Sequence, residues 1–251
     1  MADSRRDQIT ADIVEICHRL YAKGFVTATD GNVSARLENG NFLTTRTSIN
    51  KGMVKAEDIV EVNTSGEAQA PNLKPSTEIA MHLLIYSQRP DVHAVVHAHP
   101  TYATGFATAR QPIADCIFPE VIVGLGAIPL AEYATPSTTE VAESLSPHVR
   151  HADAILLSNH GVVTYGKDPY DAYFKMEKVE HAAHILFVAR VLGGEKILSA
   201  SDVEKLRAIS KQAYGKDFTG KIACEPEDGS MMAVPTDEEI REIVRQMIQK
   251  K

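Results

Sequence analysis

The sequence has few cysteines, no cluster of basic residues and no long apolar run, and each absence excludes a class of protein. Its three cysteines, Cys17, Cys116 and Cys224, are far apart, odd in number and never in a CxxC pair, so no disulfide framework is expected. The net charge of -7 and the scattered basic residues argue against a nucleic-acid partner. With no apolar segment of membrane length and no secretory core, the sequence predicts a cytoplasmic protein without a membrane partner.

The composition is that of an ordinary globular protein. A chain of 251 residues with 44% hydrophobic and 24% charged residues can bury a substantial core, and one domain over residues 1–251 is the default expectation. An Asn-Gly turn between strands at 33–37 and 41–44 predicts an early hairpin. Helices interleave later, and one is predicted to begin with a capping box, Ser137 with Glu140. This order indicates a mixed sheet with helices on both faces, a three-layer α/β/α sandwich.

Two histidines at the end of an apolar run are the most informative feature of the sequence. His97 and His99 follow Val95-Val96, and alternate residues of a strand share one face with Cα atoms about 6.6 Å apart. A third histidine, His160, ends another short apolar run. A lone histidine in such a run is more often a hydrogen-bonded core residue than a ligand, but the pair favours a metal. Three imidazoles and one open position are typical of a catalytic zinc site.

A second group of residues suits an anion. A glycine turn at 29–34, hydroxyl residues at 45–48 and a predicted helix start at 75–78 all carry polar donors. Exposed backbone N–H groups at turns and helix N-termini favour a bound phosphate. Such clusters are also ordinary turns and caps. The interpretation as a phosphate site is therefore favoured only together with the predicted metal site.

Taken in order, four motifs resemble the class II aldolase/adducin family, and most of all its fuculose-1-phosphate aldolase-like members. They are Thr29-Asp30-Gly31-Asn32-Val33-Ser34, Pro75-Ser76-Thr77-Glu78, His97-Ala98-His99-Pro100 and Asn159-His160-Gly161. The resemblance covers about residues 8–195 and leaves 196–251 as a helical C-terminal extension, with a last helix predicted at 236–249. It implies a central, mostly antiparallel sheet and a homotetramer with active sites at subunit interfaces.

The resemblance also implies a set of functional residues. Zn²⁺, or another divalent transition metal, is expected on His97, His99 and His160. Glu78 is expected as the catalytic acid/base that also touches the metal when no substrate is bound, and His82, four residues on, could orient it. The implied phosphate pocket consists of Gly31, Asn32, Thr47, Ser48, Ser76 and Thr77. The implied substrate is a small phosphorylated ketose, cleaved to dihydroxyacetone phosphate and an aldehyde.

One position departs from the pattern of the fuculose enzymes. Where they have a tyrosine that protonates the aldehyde oxygen, this chain has Phe118, which has no proton to give. Glu120 is the nearest ionisable substitute, although it could equally be a solvent-facing loop carboxylate. Tyr165, Tyr214 or a residue of the C-terminal tail are further alternatives. The aldolase interpretation therefore has alternatives, namely an epimerase, a dehydratase, a decarboxylase or a non-catalytic adducin-like assembly role.

Overall fold

A computed structural model describes residues 2–114, 116–215 and 224 of the protein. The helix predicted at 236–249 lies outside the described residues. Among the described residues, no helix is long and apolar enough to cross a membrane.

Within the described part of the chain, seven strands form one sheet, and it is mostly antiparallel as predicted. Their spatial order is β3-β2-β1-β4-β7-β6-β5, and only the short pair β5 and β6 is parallel. The strands are β1 (Asn32–Arg36), β2 (Phe42–Thr45), β3 (Ile59–Val62), β4 (Ala94–Ala98), β5 (Leu130–Ala131), β6 (Ala154–Leu157) and β7 (Gly161–Gly166).

Helices cover both faces of the sheet, which confirms the three-layer α/β/α sandwich. They are α1 (Ala2–Ala22), α2 (Ile79–Gln88), α3 (Thr101–Thr108), α4 (Pro119–Gly124), α5 (Thr139–Val149), α6 (Pro169–Val191) and α7 (Ala200–Tyr214). Helices α1, α3 and α6 pack on one face, and the α2–α5 pair lies on the other. Each face has its own buried apolar cluster, so the two sides of β4 enter two different cores.

Strand β7 was not anticipated from the sequence. It follows His160 directly and pairs with both β4 and β6, so its Gly161–Gly166 run is buried throughout. Because β7 lies beside β4, the residue that precedes β7 comes next to the end of β4. The unpredicted strand is therefore the element that brings His160 to the other two histidines.

Two predicted helix starts differ from the structure. The segment 75–78 was predicted to begin α2 with Ser76 or Thr77 as its cap, but the helix begins at Ile79 and Glu78 is the cap residue. The Ser76 hydroxyl accepts the Glu78 N–H. The predicted capping box at Ser137 is wrong. Ser137 has a φ of 64° and lies outside α5, and the Glu140 carboxylate accepts the N–H of Thr135. Local turn conformation decides both starts.

The expectation of no disulfide is also wrong. Cys116 and Cys224 are bonded to each other, with Cα atoms 5.2 Å apart. Both are buried in a small apolar cluster with Ile122 and Val203, so packing brings together two cysteines that are 108 residues apart in sequence. Cys17 is a free, buried thiol.

Candidate metal centre and anion site

The histidine pair lies where β4 ends. His97 is the second-to-last residue of the strand and is fully buried, opposite Asn32 of β1 and Val163 of β7. His99 follows the strand, and its backbone N–H donates to the carbonyl of Phe25 at 2.9 Å. Both side chains therefore project at one end of the sheet, as the spacing predicts.

His160 reaches the same point from the tight turn between β6 and β7. Asn159 takes a left-handed conformation with a φ of 55°, which asparagine tolerates better than most residues. The N–H of His160 then closes the turn on the carbonyl of Leu157 at 3.0 Å. The ring centroids of His97, His99 and His160 are 4.8–5.1 Å from one another.

The three imidazoles offer nitrogen atoms to a common centre. One ring nitrogen from each residue lies within 4.8 Å of the other two, and His97 Nε2 is 3.1 Å from His99 Nε2. Nitrogens bound to one tetrahedral zinc ion are about 3.3 Å apart. His97 Nδ1 is 2.9 Å from the carbonyl of Val162. Since a carbonyl only accepts, Nδ1 donates and Nε2 keeps its lone pair for the centre.

Glu78 completes the cluster from the N-terminus of α2. Its Oε2 is 3.4 Å from His97 Nε2, and its Oε1 is 3.2 Å from His160 Nε2. Asn32 Nδ2 donates to Oε2 at 2.8 Å, whereas the buried Oε1 has no hydrogen-bond donor among the residues that the structure describes. Burial alone would raise the pKa of Glu78, but the attraction of His97 and His160 holds the pKa well below its usual value. The carboxylate is therefore charged at neutral pH.

The histidines have the protonation state that metal binding needs. Burial, the largest cause, lowers the pKa of His97 to about 4 and the pKa of His99 to about 4. Both rings are consequently neutral at pH 7, and neutral imidazole is the form that ligates metals. The neutral rings of His97 and His99, the His160 ring beside them and the charged Glu78 carboxylate fit a divalent transition metal.

Gly161 leaves the space in which two of these histidines lie. A Cβ atom built on Gly161 would lie 2.5 Å from His99 Cδ2 and 2.6 Å from the carbonyl oxygen of Ala98. Real Cβ atoms do not approach other atoms so closely. The glycine of the Asn159-His160-Gly161 motif is thus required by the close packing of the ligands.

The predicted anion-binding segments meet beside this cluster. Gly31 has a φ of 72°, and a Cβ there would lie 2.8 Å from the carbonyl oxygen of His97, so the turn sits directly against β4. The other segments are joined by backbone hydrogen bonds. The N–H of Thr47 donates to the carbonyl of Lys74, and that of Ser76 donates to the carbonyl of Thr45. The residues of the predicted pocket therefore lie on adjoining segments, with Asn32 at the start of β1 and the other five in turns or loops. The Asn32 amide donates to Glu78 here.

Three residues near the site were not recognised from the sequence. Lys51 is buried beneath the loops, and its ammonium donates to the carbonyls of Thr29 and Ile49. The hydroxyl of Ser137 donates to Thr77 Oγ1 at 2.9 Å, and Asp30 Oδ2 is 3.8 Å from His99 Nδ1. Asp30 belongs to the 29–34 motif that was identified from the sequence. The other two carry no sequence signal, because their position depends on tertiary packing.

The remaining predicted residues lie elsewhere. Glu120 is exposed at the start of α4, where it lines a surface groove with Phe118 and His181. Tyr165 is fully buried and donates to the carbonyl of Val149, which gives it a structural role. His82 Nδ1 is 2.6 Å from Ser34 Oγ rather than on Glu78. The Tyr214 side chain lies outside the described residues.

Comparison with known proteins finds relatives that match most of the chain. The model of the class II aldolase and adducin N-terminal domain matches residues 11–187. An L-fuculose phosphate aldolase of Methanococcus maripaludis is 34% identical over 183 residues, which is 73% of this chain and 98% of that protein. A 3-oxo-tetronate 4-phosphate decarboxylase of Pectobacterium atrosepticum is 32% identical over 209 residues, covering 81% and 94% of the two chains.

Solved structures give the same result. An L-fuculose 1-phosphate aldolase superimposes with a TM-score of 0.74 at 29% identity, covering 79% of this chain and 94% of that one. The sheet and the helices on both faces form a fold of the class II aldolase type, and His97, His99 and His160 form a cluster with the geometry of a metal site. The chain belongs to the class II aldolase and adducin family.

Proposed function

We propose that this protein is a zinc-dependent aldolase that cleaves a ketose 1-phosphate to dihydroxyacetone phosphate and an aldehyde. The observation that carries the proposal is the convergence of His97, His99 and His160 next to Glu78, with the segments of the predicted phosphate pocket adjoining them. A site for charge stabilisation, a base and a phosphate pocket are the three parts that this reaction needs.

The reaction breaks the bond between C3 and C4 of the ketose. The C4 hydroxyl loses its proton and becomes the aldehyde, while the bonding electrons pass to the C2 carbonyl and give the enediolate of dihydroxyacetone phosphate. A divalent ion on the three imidazoles supplies a Lewis acid for this developing charge, an effect of several kcal/mol. Imidazole binds a metal in its neutral form, so histidine ligation would leave the charge of such an ion undiminished.

Glu78 serves in this proposal as the acid/base at C3 of the ketose, the carbon that becomes the hydroxymethyl carbon of dihydroxyacetone phosphate. Its low pKa makes it a carboxylate in the resting protein, and the Asn32 amide holds one of its oxygens. A positioned base typically contributes about 10²–10⁴-fold to such a proton transfer. The phosphate group, bound by Gly31, Asn32, Thr47, Ser48, Ser76 and Thr77, keeps that carbon in register with Glu78.

Glu120 is our candidate for the proton exchange at the aldehyde oxygen. It is exposed beside Phe118, so it would serve the site of a neighbouring subunit. A homotetramer with active sites at its interfaces is part of the proposal. Its support is the row of exposed apolar side chains on α6, which a partner subunit would cover: Phe174, Ile185, Phe187, Val188 and Val191. Light scattering of the purified protein tests the assembly.

A phosphorylated 3-oxo acid decarboxylase is the second candidate function. It is favoured by the decarboxylase relative and by Phe118, because loss of CO₂ also leaves negative charge beside a carbonyl but needs no proton exchange at an aldehyde oxygen. Epimerase and dehydratase activities would use the same parts. A non-catalytic assembly role is disfavoured, because a scaffold has no use for a complete set of ligands.

We also propose a cytoplasmic location, which cell fractionation tests.

One substrate panel distinguishes these functions. The zinc-loaded protein is incubated with several ketose 1-phosphates and with 3-oxo-tetronate 4-phosphate, and the products are followed by NMR. Release of dihydroxyacetone phosphate supports the aldolase, and release of CO₂ alone supports the decarboxylase. Glu78→Gln is the control for background turnover. A metal-loaded tetramer without any turnover would contradict both enzymatic proposals.

A further inference from the structure

A lysine lies fully buried beneath the anion-binding loops. Lys51 is 1% exposed, although lysine is almost never fully buried without a charged partner. It lies in the short 3-10 helix Lys51–Met53, which the side chain of Asn50 caps at its start. Helix α1 packs on this turn. The sequence thus places an ammonium group in the protein interior at a substantial cost in desolvation.

The ammonium group connects two loops of the predicted phosphate pocket. Lys51 Nζ donates to the carbonyl of Ile49 at 2.8 Å and to the carbonyl of Thr29 at 3.2 Å. Thr29 begins the Asp30-Gly31-Asn32 turn, and Ile49 follows Thr47 and Ser48. One side chain therefore fixes the distance between two segments that must act on the same anion.

The positive charge of Lys51 has no counter-charge beneath the loops. Among the described residues, no carboxylate oxygen forms an ion pair with Nζ within 4.0 Å. The nearby thiol of Cys17 on α1 is neutral, because burial raises its pKa to about 12. Burial lowers the pKa of Lys51, while Cys17, Asp30 and Glu78 act in the opposite direction. The last two are residues of the site itself, so the field of the ammonium reaches the site.

We propose that Lys51 is a positioning residue for the phosphate group of the substrate, which holds the Thr29–Asn32 and Thr47–Ile49 segments together and gives their shared anion site a positive potential. This inference rests on the proposed function for the identity of the ligand. It explains why a costly buried charge is placed under loops whose own donors are neutral amides and hydroxyls. The lysine does not touch the reacting carbons and acts on binding.

The test compares Lys51→Met with Lys55→Met in the full-length, zinc-loaded protein. Methionine keeps the length and apolar stem of the lysine without its charge. Lys55 is the matched control, because it is an exposed lysine four residues along the same segment. The probe is inorganic phosphate, titrated by calorimetry, and KM and kcat are measured with whichever phosphorylated substrate the panel identifies.

We expect Lys51→Met to weaken phosphate binding by about 30-fold, which corresponds to about 2 kcal/mol. KM should rise by a similar factor, with kcat and the zinc content nearly unchanged, and Lys55→Met should behave like the wild-type protein. A lysine with only a structural role would change stability without this split between KM and kcat. Unchanged phosphate affinity in Lys51→Met, or no phosphate binding by the wild-type protein, would overturn the inference.

A second measurement uses the wild-type protein and so does not depend on the folding of a variant. The protected ammonium of a buried lysine can be observed by ¹H–¹⁵N NMR, and the signal of Lys51 should shift when inorganic phosphate is added. Lys51→Arg identifies the signal by removing it. An unshifted signal at saturating phosphate contradicts the proposal. Phosphate binding that depends on Lys51 in a protein without turnover would leave the inference standing and refute only the proposed reaction.

Discussion

Gly161 packs against the ring of His99 with no room for a side chain between them. The space that a Cβ of residue 161 would need is 2.5 Å from His99 Cδ2, and the same Cβ would lie 3.4 Å from His97 Cε1. A side chain at this position would push against both the His99 ring and the backbone carbonyl of Ala98, the residue between the two ligands of β4.

Gly161→Ala should therefore weaken metal binding by at least about tenfold, because displacing a ligand by a few tenths of an ångström weakens its bond to the metal. Competition with a zinc-binding dye measures the change. Gly105→Ala is the matched control, since a Cβ at Gly105 in α3 meets no atom within 4 Å. Equal zinc affinity in the two variants would contradict the role of Gly161.

Substitutions of Glu78 and Glu120 should affect two different proton transfers. Glu78→Gln should retain the metal and lower proton exchange at the hydroxymethyl carbon of dihydroxyacetone phosphate by about 10²–10⁴-fold. This exchange is followed by NMR in D₂O. Glu120→Gln should keep this exchange and slow only the formation or cleavage of the carbon–carbon bond. Full exchange in Glu78→Gln would remove Glu78 from the role of base, and normal cleavage in Glu120→Gln would remove Glu120 from the aldehyde side.

His82 should make the metal-free protein sensitive to acid. It is fully buried on α2, and burial lowers its pKa to about 4 against the opposing effect of Glu78. In the unfolded chain histidine takes up its proton near pH 6.5. Stability is thus fully present above pH 6.5 and is lost as the pH falls toward 4, because only the unfolded state binds the proton.

We expect the free energy of unfolding to fall by up to about 3 kcal/mol on account of His82 between pH 7 and pH 4. Urea unfolding of the metal-free protein at several pH values measures it. His97 and His99 add to the slope in the wild-type protein and in His82→Gln alike, so the difference between the two curves reports His82. Parallel curves would contradict the assignment.

Much of the site follows from the sequence because its parts are local patterns. The spacing of His97 and His99 fixes a shared direction on one strand end, and the apolar run before His160 indicates a strand that ends there. Both predictions needed only the period of a strand. The hairpin at 33–44 is equally local, since its turn residues and its alternation lie within a dozen positions.

The features that sequence reasoning missed depend on packing between distant segments. Strand β7 was missed because its apolar run follows the His160 turn without a further boundary, and only its pairing with β4 and β6 reveals it. Lys51 is buried because α1 lies over it, and lysine at a turn ordinarily indicates exposure. Cys116 and Cys224 meet through a small apolar cluster that no spacing rule describes.

The metal content of the purified protein tests the central claim most directly. Elemental analysis of the wild-type protein, His99→Ala and His93→Ala compares a proposed ligand with an exposed histidine at the other end of the same strand. The account predicts close to one divalent transition metal per chain in the wild-type protein and in His93→Ala, and loss of the metal in His99→Ala. A metal-free wild-type protein after loading with zinc, or full retention in His99→Ala, would contradict it.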